Sequence, residues 1–193
     1  FTSNIKLEGK EILEQIKHEK TPVIFISGHF SNFELMAMQI EKSGVNLAAI
    51  YRPLNNIFLN VIMERIRKKY ICKNQIKKGT KGVRELLKLF KKGYSIALMI
   101  DQRVTQGIKS KFFNEDAFTT TIPAQFVKKF NCKIVPIYIE RFDGTNFKIK
   151  VEKPIIFSKG VSTEKITRDL NIWLEKTILK NPGKWIWSHN RWR

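Results

Sequence analysis

Four short apolar runs constrain this chain more than any other feature: "TPVIFISG" (21–28), "VNLAAIYR" (45–52), "YSIALMID" (94–101) and "KIVPIYIER" (133–141). Each is rich in branched or aromatic residues and has no regularly polar side, which is the pattern of a strand buried on both faces. The first is entered by Pro22 and closed by Gly28, and the third ends in Asp101-Gln102-Arg103. Around them lie stretches with apolar residues at helical spacing: 5–18, 31–44, 56–70, 82–93, 121–131 and 162–179. "FKIKVEKPIIF" (147–157) alternates like an edge strand, and the segment holding Phe112-Phe113 reads as a loop. Strands alternating with helices predict an α/β sandwich with a largely parallel central sheet. No repeat or linker divides the 193 residues, and 42% hydrophobic content suffices for one domain spanning 1–193.

The charge is lopsided, with 36 Lys and Arg against 17 Asp and Glu, a net +19. Such a field suits phosphate-rich partners: nucleic acid, an anionic membrane surface or an acidic carrier protein. Lys outnumbers Arg by 27 to 9, a bias that AT-rich coding alone produces, so the charge permits these partners without selecting one. The aromatic-basic C-terminus, Trp185, Trp187, Trp192, Arg191 and Arg193, reads first as packing that seals the end of the fold and second as a membrane-interface seat. With the charge it also prompts the alternative from another class, a nucleic-acid-binding module. No helix-turn-helix, zinc-finger or RNP pattern accompanies it. Cys72 and Cys132 stand far apart with no CxxC spacing, so neither a disulfide framework nor a zinc site is expected. No apolar run approaches the ~20 residues that span a bilayer. The chain starts at Phe1 and not at Met, so a missing upstream segment is expected.

Residues 26–38, "ISGHFSNFELMAM", hold the chemistry. Ser31-x-x-Glu34 before an apolar run is a capping-box pattern, in which Glu34 would bond a backbone N–H at the helix start. The second reading starts from position. His29 stands one residue past Gly28 at the carboxyl end of a strand, where open α/β sheets collect ligands. A carboxylate on the next helical turn would fix the imidazole tautomer and raise its basicity. The chain has no G-x-S-x-G elbow, so a His-carboxylate pair without its own nucleophile suits a base that activates a substrate hydroxyl.

"GHFSNFE" (28–34), "YRPLNN" (51–56), "ALMIDQR" (97–103), "KFFNEDAFTTTIPAQFVKKFNCKIVPIY" (111–138) and "NPGKWIWSHNRWR" (181–193) occur in that order. In these five blocks the chain resembles, over nearly its whole length, the bacterial lipid A biosynthesis acyltransferases of lauroyl/myristoyl type. It departs from them in two places. The N-terminal membrane helix and further residues that the family usually carries ahead of the H-x4-E block are shortened or absent, so the resemblance implies a fragment lacking a membrane anchor. Ser188 and Asn190 stand where the family more often has an aromatic and a basic residue.

The resemblance implies a glycerol-3-phosphate-acyltransferase-like fold. It implies His29 as general base for a lipid hydroxyl that attacks an acyl thioester, with Glu34 orienting the imidazole. Asn32, Arg52, Asp101 and Gln102 would bind substrate, Arg52 by gripping a phosphate. No cofactor or metal is implied, since the thioester, on acyl carrier protein or coenzyme A, is a co-substrate. The acceptor would be a lipid A precursor, a phosphorylated glycolipid, with another glycolipid or a glycerophospholipid as the alternative. The place would be the cytoplasmic face of the cell inner membrane, with an anionic membrane surface rather than nucleic acid as partner. The basic stretch 63–82, read as a helix, is either a solvated face or a contact for that surface or for an acidic carrier.

Overall fold

The computed structural model describes residues 4–192. Its strands are β1 (Ile5–Glu8), β2 (Ile24–Ser27), β3 (Leu47–Tyr51), β4 (Asn74–Lys77), β5 (Ser95–Met99), β6 (Ile108–Phe112), β7 (Glu115–Thr119), β8 (Ile134–Asp143) and β9 (Asn146–Val151). Its helices are α1 (Lys10–Glu19), α2 (Glu34–Lys42), α3 (Ile57–Tyr70), α4 (Thr80–Lys91), α5 (Ile122–Phe130) and α6 (Thr163–Lys180). Seven strands form one sheet in the order β1-β9-β8-β2-β5-β3-β4, and β6 and β7 make a separate hairpin. Every pair in the large sheet is parallel except the hairpin β8-β9.

The central strands are those with continuous apolar runs, because β2 is covered on both sides and all four of its residues are buried. Helix α6 buries Ile166, Leu170, Leu174 and Ile178, one face at a spacing of four. Topology opens a crevice beyond β2 and β5. After β2 the chain crosses to β3 on one side, and after β5 it crosses to β8 on the other. Neighbouring strands whose continuations diverge leave room for a ligand at their carboxyl ends.

Three local expectations change. Residues 5–8 form a strand and not the start of a helix: "IKLE" fits either period, but Gly9 breaks the run at φ 79°, and a Cβ there would lie 2.2 Å from the Val151 carbonyl oxygen. β9 consequently lies between β8 and β1 and is not an edge; the two edge strands are β1 and β4. The basic stretch 63–82 is not one helix, since it contains all of β4. Phe112 closes β6, while Phe113 and Asn114, at φ 51° and 64°, make the two-residue hairpin turn. Both cysteines are buried free thiols, and burial pushes Cys132 up to about 12. Among the described residues no helix is long and apolar enough to cross a membrane, and no group of three His, Cys, Asp or Glu converges as metal ligands would. Arg193 lies outside the described residues.

Candidate active site

Strands β2 and β5 run parallel with Ser27 opposite Met99, and two residues past that pair stand His29 and Asp101. The Asp101 carboxylate is almost completely buried and engaged by three donors. Its Oδ1 lies 2.7 Å from His29 Nδ1, while its Oδ2 accepts the His29 backbone N–H at 2.6 Å and the Trp185 indole N–H at 2.8 Å. Burial alone would raise this carboxyl, but the hydrogen bonds and charge from His29, with Trp185, hold it below the usual carboxylate range. Gly28 permits the approach, because a Cβ there would sit 3.2 Å from Asp101 Oδ2 and 2.9 Å from the Phe30 ring. With the Nδ1–H directed at Asp101, the lone pair is on Nε2, which turns toward Gln102, whose Nε2 is 3.4 Å away. The His29 side chain keeps 18% exposure, so a substrate can reach Nε2.

Glu34 does neither thing expected of it. It is the first residue of α2, yet the N-cap Phe33 makes no side-chain cap bond, and the Ser31 hydroxyl accepts the Arg141 backbone N–H instead. Its Oε1 accepts from Arg67 Nε at 2.8 Å and Nη2 at 2.5 Å, tying α2 to α3. The position on the imidazole predicted for Glu34 is held by Asp101. The physical reason is register: Ser31 takes a left-handed φ of 43°, so the turn after His29 is not helical and Glu34 leaves it facing α3.

His29 and Glu34 both line a cavity of about 280 Å³ that runs beneath α2 and α4 over one face of the sheet. Its deep wall is apolar, with Ala37, Ile40, Ala49, Leu86 and Ala97, and its rim carries Arg52, Gln102, Lys77 and Lys78. The size is near the lower end of ligand pockets, ~300–1,000 Å³. The structure thus brings His29, Asp101 and Gln102 together and places Arg52 at the rim. Asn32 is exposed in the turn before α2 and does not line the cavity.

Three residues of this region were not singled out as site residues from the sequence. Arg67 lines the cavity, and its Nη1 is buried with no hydrogen-bond partner among the described residues. Its signal was the polar series Asn60, Glu64, Arg67, spaced by four and three along one side of a helix whose first turns are otherwise apolar. The others are in the C-terminal block. Trp185 holds Asp101 and is 4% exposed. Arg191, fully buried, donates to the carbonyls of Gln102 and Phe118 and to the Thr119 hydroxyl, with its guanidinium over the Phe112 ring. Burial lowers Arg191 to about 10. His189 Nε2 accepts the Arg103 N–H, and the His29 carbonyl accepts from Ile186 N–H. The block is therefore a strap over the loops that carry His29 and Asp101. Trp185 and Arg191, buried in this way, present no stacking surface to a nucleic acid.

A sequence model described as bacterial lipid A biosynthesis acyltransferase matches residues 1–193. The chain belongs to this family. It is 22% identical over 191 residues to lipid A biosynthesis acyltransferase 2 of Shigella flexneri, covering 97% of this chain and 60% of that protein. It is 24% identical over 193 residues to the lipid A biosynthesis acyltransferase of Haemophilus influenzae, with the same two coverages. The lipid A biosynthesis myristoyltransferase of Escherichia coli is 22% identical over 187 residues, covering 93% of this chain and 56% of that protein. The chain thus spans about three fifths of the length of these family members. Among solved structures, the 1-acyl-sn-glycerophosphate acyltransferase PlsC of Thermotoga maritima superposes with a TM-score of 0.51 at 13% identity, over 95% of this chain and 74% of that one. That likeness identifies the fold, a mixed α/β sheet flanked by helices.

Proposed function

We propose that this chain moves a fatty acyl group from a thioester to a hydroxyl of a phosphorylated lipid A precursor, with His29 as general base and Asp101 as its partner. The observation that carries this reading is the buried Asp101 carboxylate on Nδ1 of a histidine whose Nε2 opens onto an apolar cavity. Asp101 fixes the tautomer with Nε2 as acceptor and stabilises the imidazolium that forms. His29 Nε2 takes the proton from the acceptor hydroxyl, and the oxygen attacks the thioester carbonyl. The tetrahedral intermediate collapses by breaking the C–S bond, and the departing sulfur takes the proton from Nε2. One ester forms, one thioester breaks, and one thiol is released.

The apolar wall suits the acyl chain, since each buried methylene contributes about 0.8 kcal/mol. The basic rim, Arg52, Lys77 and Lys78, suits the phosphates of acceptor or donor, Arg52 by a planar two-point grip. Arg67 lines the same cavity, and its buried Nη1 has no hydrogen-bond partner among the described residues. Glu34 serves by holding Arg67 at the wall. The donor is an acyl carrier protein or coenzyme A, and the reaction needs no metal or cofactor.

The test is acyl transfer to a phosphorylated lipid A precursor from each donor, with His29→Ala, Asp101→Asn and Glu34→Gln chains beside the unaltered one. The reading holds if the first two lose transfer while remaining folded. Full transfer by His29→Ala would remove the base assignment.

A further inference from the structure

Helix α3 is built inside out. A surface helix ordinarily turns its apolar stripe to the core, yet α3 has no buried residue. Its polar residues face the protein: Asn60 accepts the Leu54 N–H and donates to Glu64, Glu64 accepts from the Tyr51 hydroxyl and Lys77, and Arg67 grips Glu34. These contacts pull Glu64 down to about 2, with the Tyr51 hydroxyl the largest cause, so the inward face is both satisfied and charged. The opposite face carries Ile57, Phe58, Val61, Ile62 and Ile66, exposed by 76, 84, 45, 53 and 41%. Their spacing of one and four places them on one continuous stripe. An exposed apolar face of this extent marks a partner surface.

The charges beside the stripe say which surface. The C-terminal half of α3 carries Arg65, Lys68 and Lys69, all exposed, and the chain continues through exposed Lys73, Lys77, Lys78 and Lys81. Between Arg52 and Lys81 there are nine basic residues and one acidic one, Glu64, which is turned inward and paired. Apolar side chains in the first turns with a cationic collar in the last are the features of a helix that lies in a membrane interface, its stripe among acyl chains and its lysines at anionic headgroups.

We propose that α3 seats this protein on an anionic phospholipid bilayer. Insertion would bring Arg52, Lys77 and Lys78, which rim the cavity, to headgroup level. The cavity mouth would then face the membrane. The proposal rests on the surface alone, and binding is measured without turnover, so its failure and a failure of the proposed chemistry are distinguishable.

The experiment is sedimentation of the 193-residue chain with phosphatidylcholine vesicles, with and without phosphatidylglycerol. The chain is expected to bind the mixed vesicles and to bind them less as salt rises. F58D/I62D alters side chains that point outward and line no cavity, so it should melt like the parent, and its partition should fall by roughly a hundred-fold, about ten-fold for each lost apolar anchor. K68Q/K69Q should lose roughly twenty-five-fold, about five-fold for each charge. The proposal is overturned if the parent chain binds neither vesicle, or if folded F58D/I62D binds as well as the parent. It is equally overturned if the chain is a dimer without lipid that F58D/I62D converts to monomer, which would make a second copy the occupant of this face.

Discussion

Asp101 holds His29 at two points: one carboxylate oxygen meets the imidazole Nδ1 at 2.7 Å, and the other accepts the backbone N–H of the same residue at 2.6 Å. The ring and the peptide beneath it are fixed by one buried group. Imidazole orientation thus depends on where β5 ends relative to β2 and not on the conformation of the turn that follows His29.

Asp101→Asn should therefore cost more than a hydrogen bond. An amide NH2 on Nδ1 favours the tautomer with the proton on Nε2, where the acceptor hydroxyl must be received. Transfer should fall by about 10²–10⁴-fold, the usual contribution of a general base. Adding His29→Ala should reduce it little further, because the two act as a unit. Trp185→Phe removes one donor from Asp101 and leaves the imidazole pair intact, so its rate should lie much nearer the parent's. Steady-state rates of the four chains decide this, and equal losses in Asp101→Asn and Trp185→Phe would mean that Asp101 matters only for folding.

Acid should destabilise the fold through the same carboxylate. Its folded titration lies below the ordinary carboxylate range, so the ion contributes stability at every pH above the unfolded value near 3.8 and loses it as pH falls through the folded value. Glu64 acts with the same sign between 4.5 and about 2. Thermal melts from pH 7 downward should hold steady to about pH 5 and then decline. The Asp101→Asn chain should start lower and decline less, and parallel curves for the two chains would contradict the assignment.

The Glu34–Arg67 pair is mostly buried, with side chains 24 and 15% exposed. Glu34→Gln leaves a cation beside a neutral partner and should cost about 1–3 kcal/mol. Combined with Arg67→Met it should show a coupling of about 0.5–3 kcal/mol in a double-mutant cycle of unfolding. Both residues line the cavity, so the kinetic mark of Glu34→Gln should be a raised KM with a smaller fall in kcat than Asp101→Asn produces. The reverse ranking would restore Glu34 as the partner of the base.

The strands around His29 were legible because each is apolar without interruption, and a chain position just past such a strand is a site in any open sheet. The identity of the histidine's partner was not. Glu34 is near in sequence, and the capping and catalytic readings of it both assumed a helix running from Ser31, which a positive φ at that residue prevents. Asp101 is 72 residues away and joins His29 only because β2 and β5 are neighbours, a pairing that strand patterns leave open. For the C-terminal aromatic-basic cluster, packing is the first reading of the sequence and Trp185 and Arg191 are indeed buried, but their partners Asp101 and Gln102 lie more than eighty residues away and become visible only in the contacts. The strand β4 was masked by Lys73, Lys77 and Lys78, because a four-residue edge strand with one buried side chain has almost no apolar signature.

Ala97 faces the cavity from the centre of the sheet, paired with Phe25 and Ala49. Ala97→Leu should fill part of the apolar wall without displacing His29. The acyl chain preferred in competition among thioesters should become shorter. Each methylene that loses its place should lower relative efficiency about four-fold, from ~0.8 kcal/mol of burial. An unchanged preference would mean that the acyl chain lies elsewhere.

Arg191 supplies the last prediction, since its guanidinium is fully buried with a carbonyl of the Asp101-Gln102 loop on one side and β7 on the other. Arg191→Met keeps much of the volume but leaves the Gln102 and Phe118 carbonyls without this donor. Unsatisfied buried groups cost about 1–3 kcal/mol each, and at roughly 2–4 °C per kcal/mol for a chain of this size Tm should fall by about 5–15 °C. Arg191→Lys restores a charge but not the fork that reaches three acceptors, so it should recover only part of the loss. Below the lowered Tm, both chains should also show a reduced kcat, because the released loop carries Gln102 beside His29 Nε2. If Tm falls but kcat measured well below it does not, the strap stabilises the fold without positioning the site.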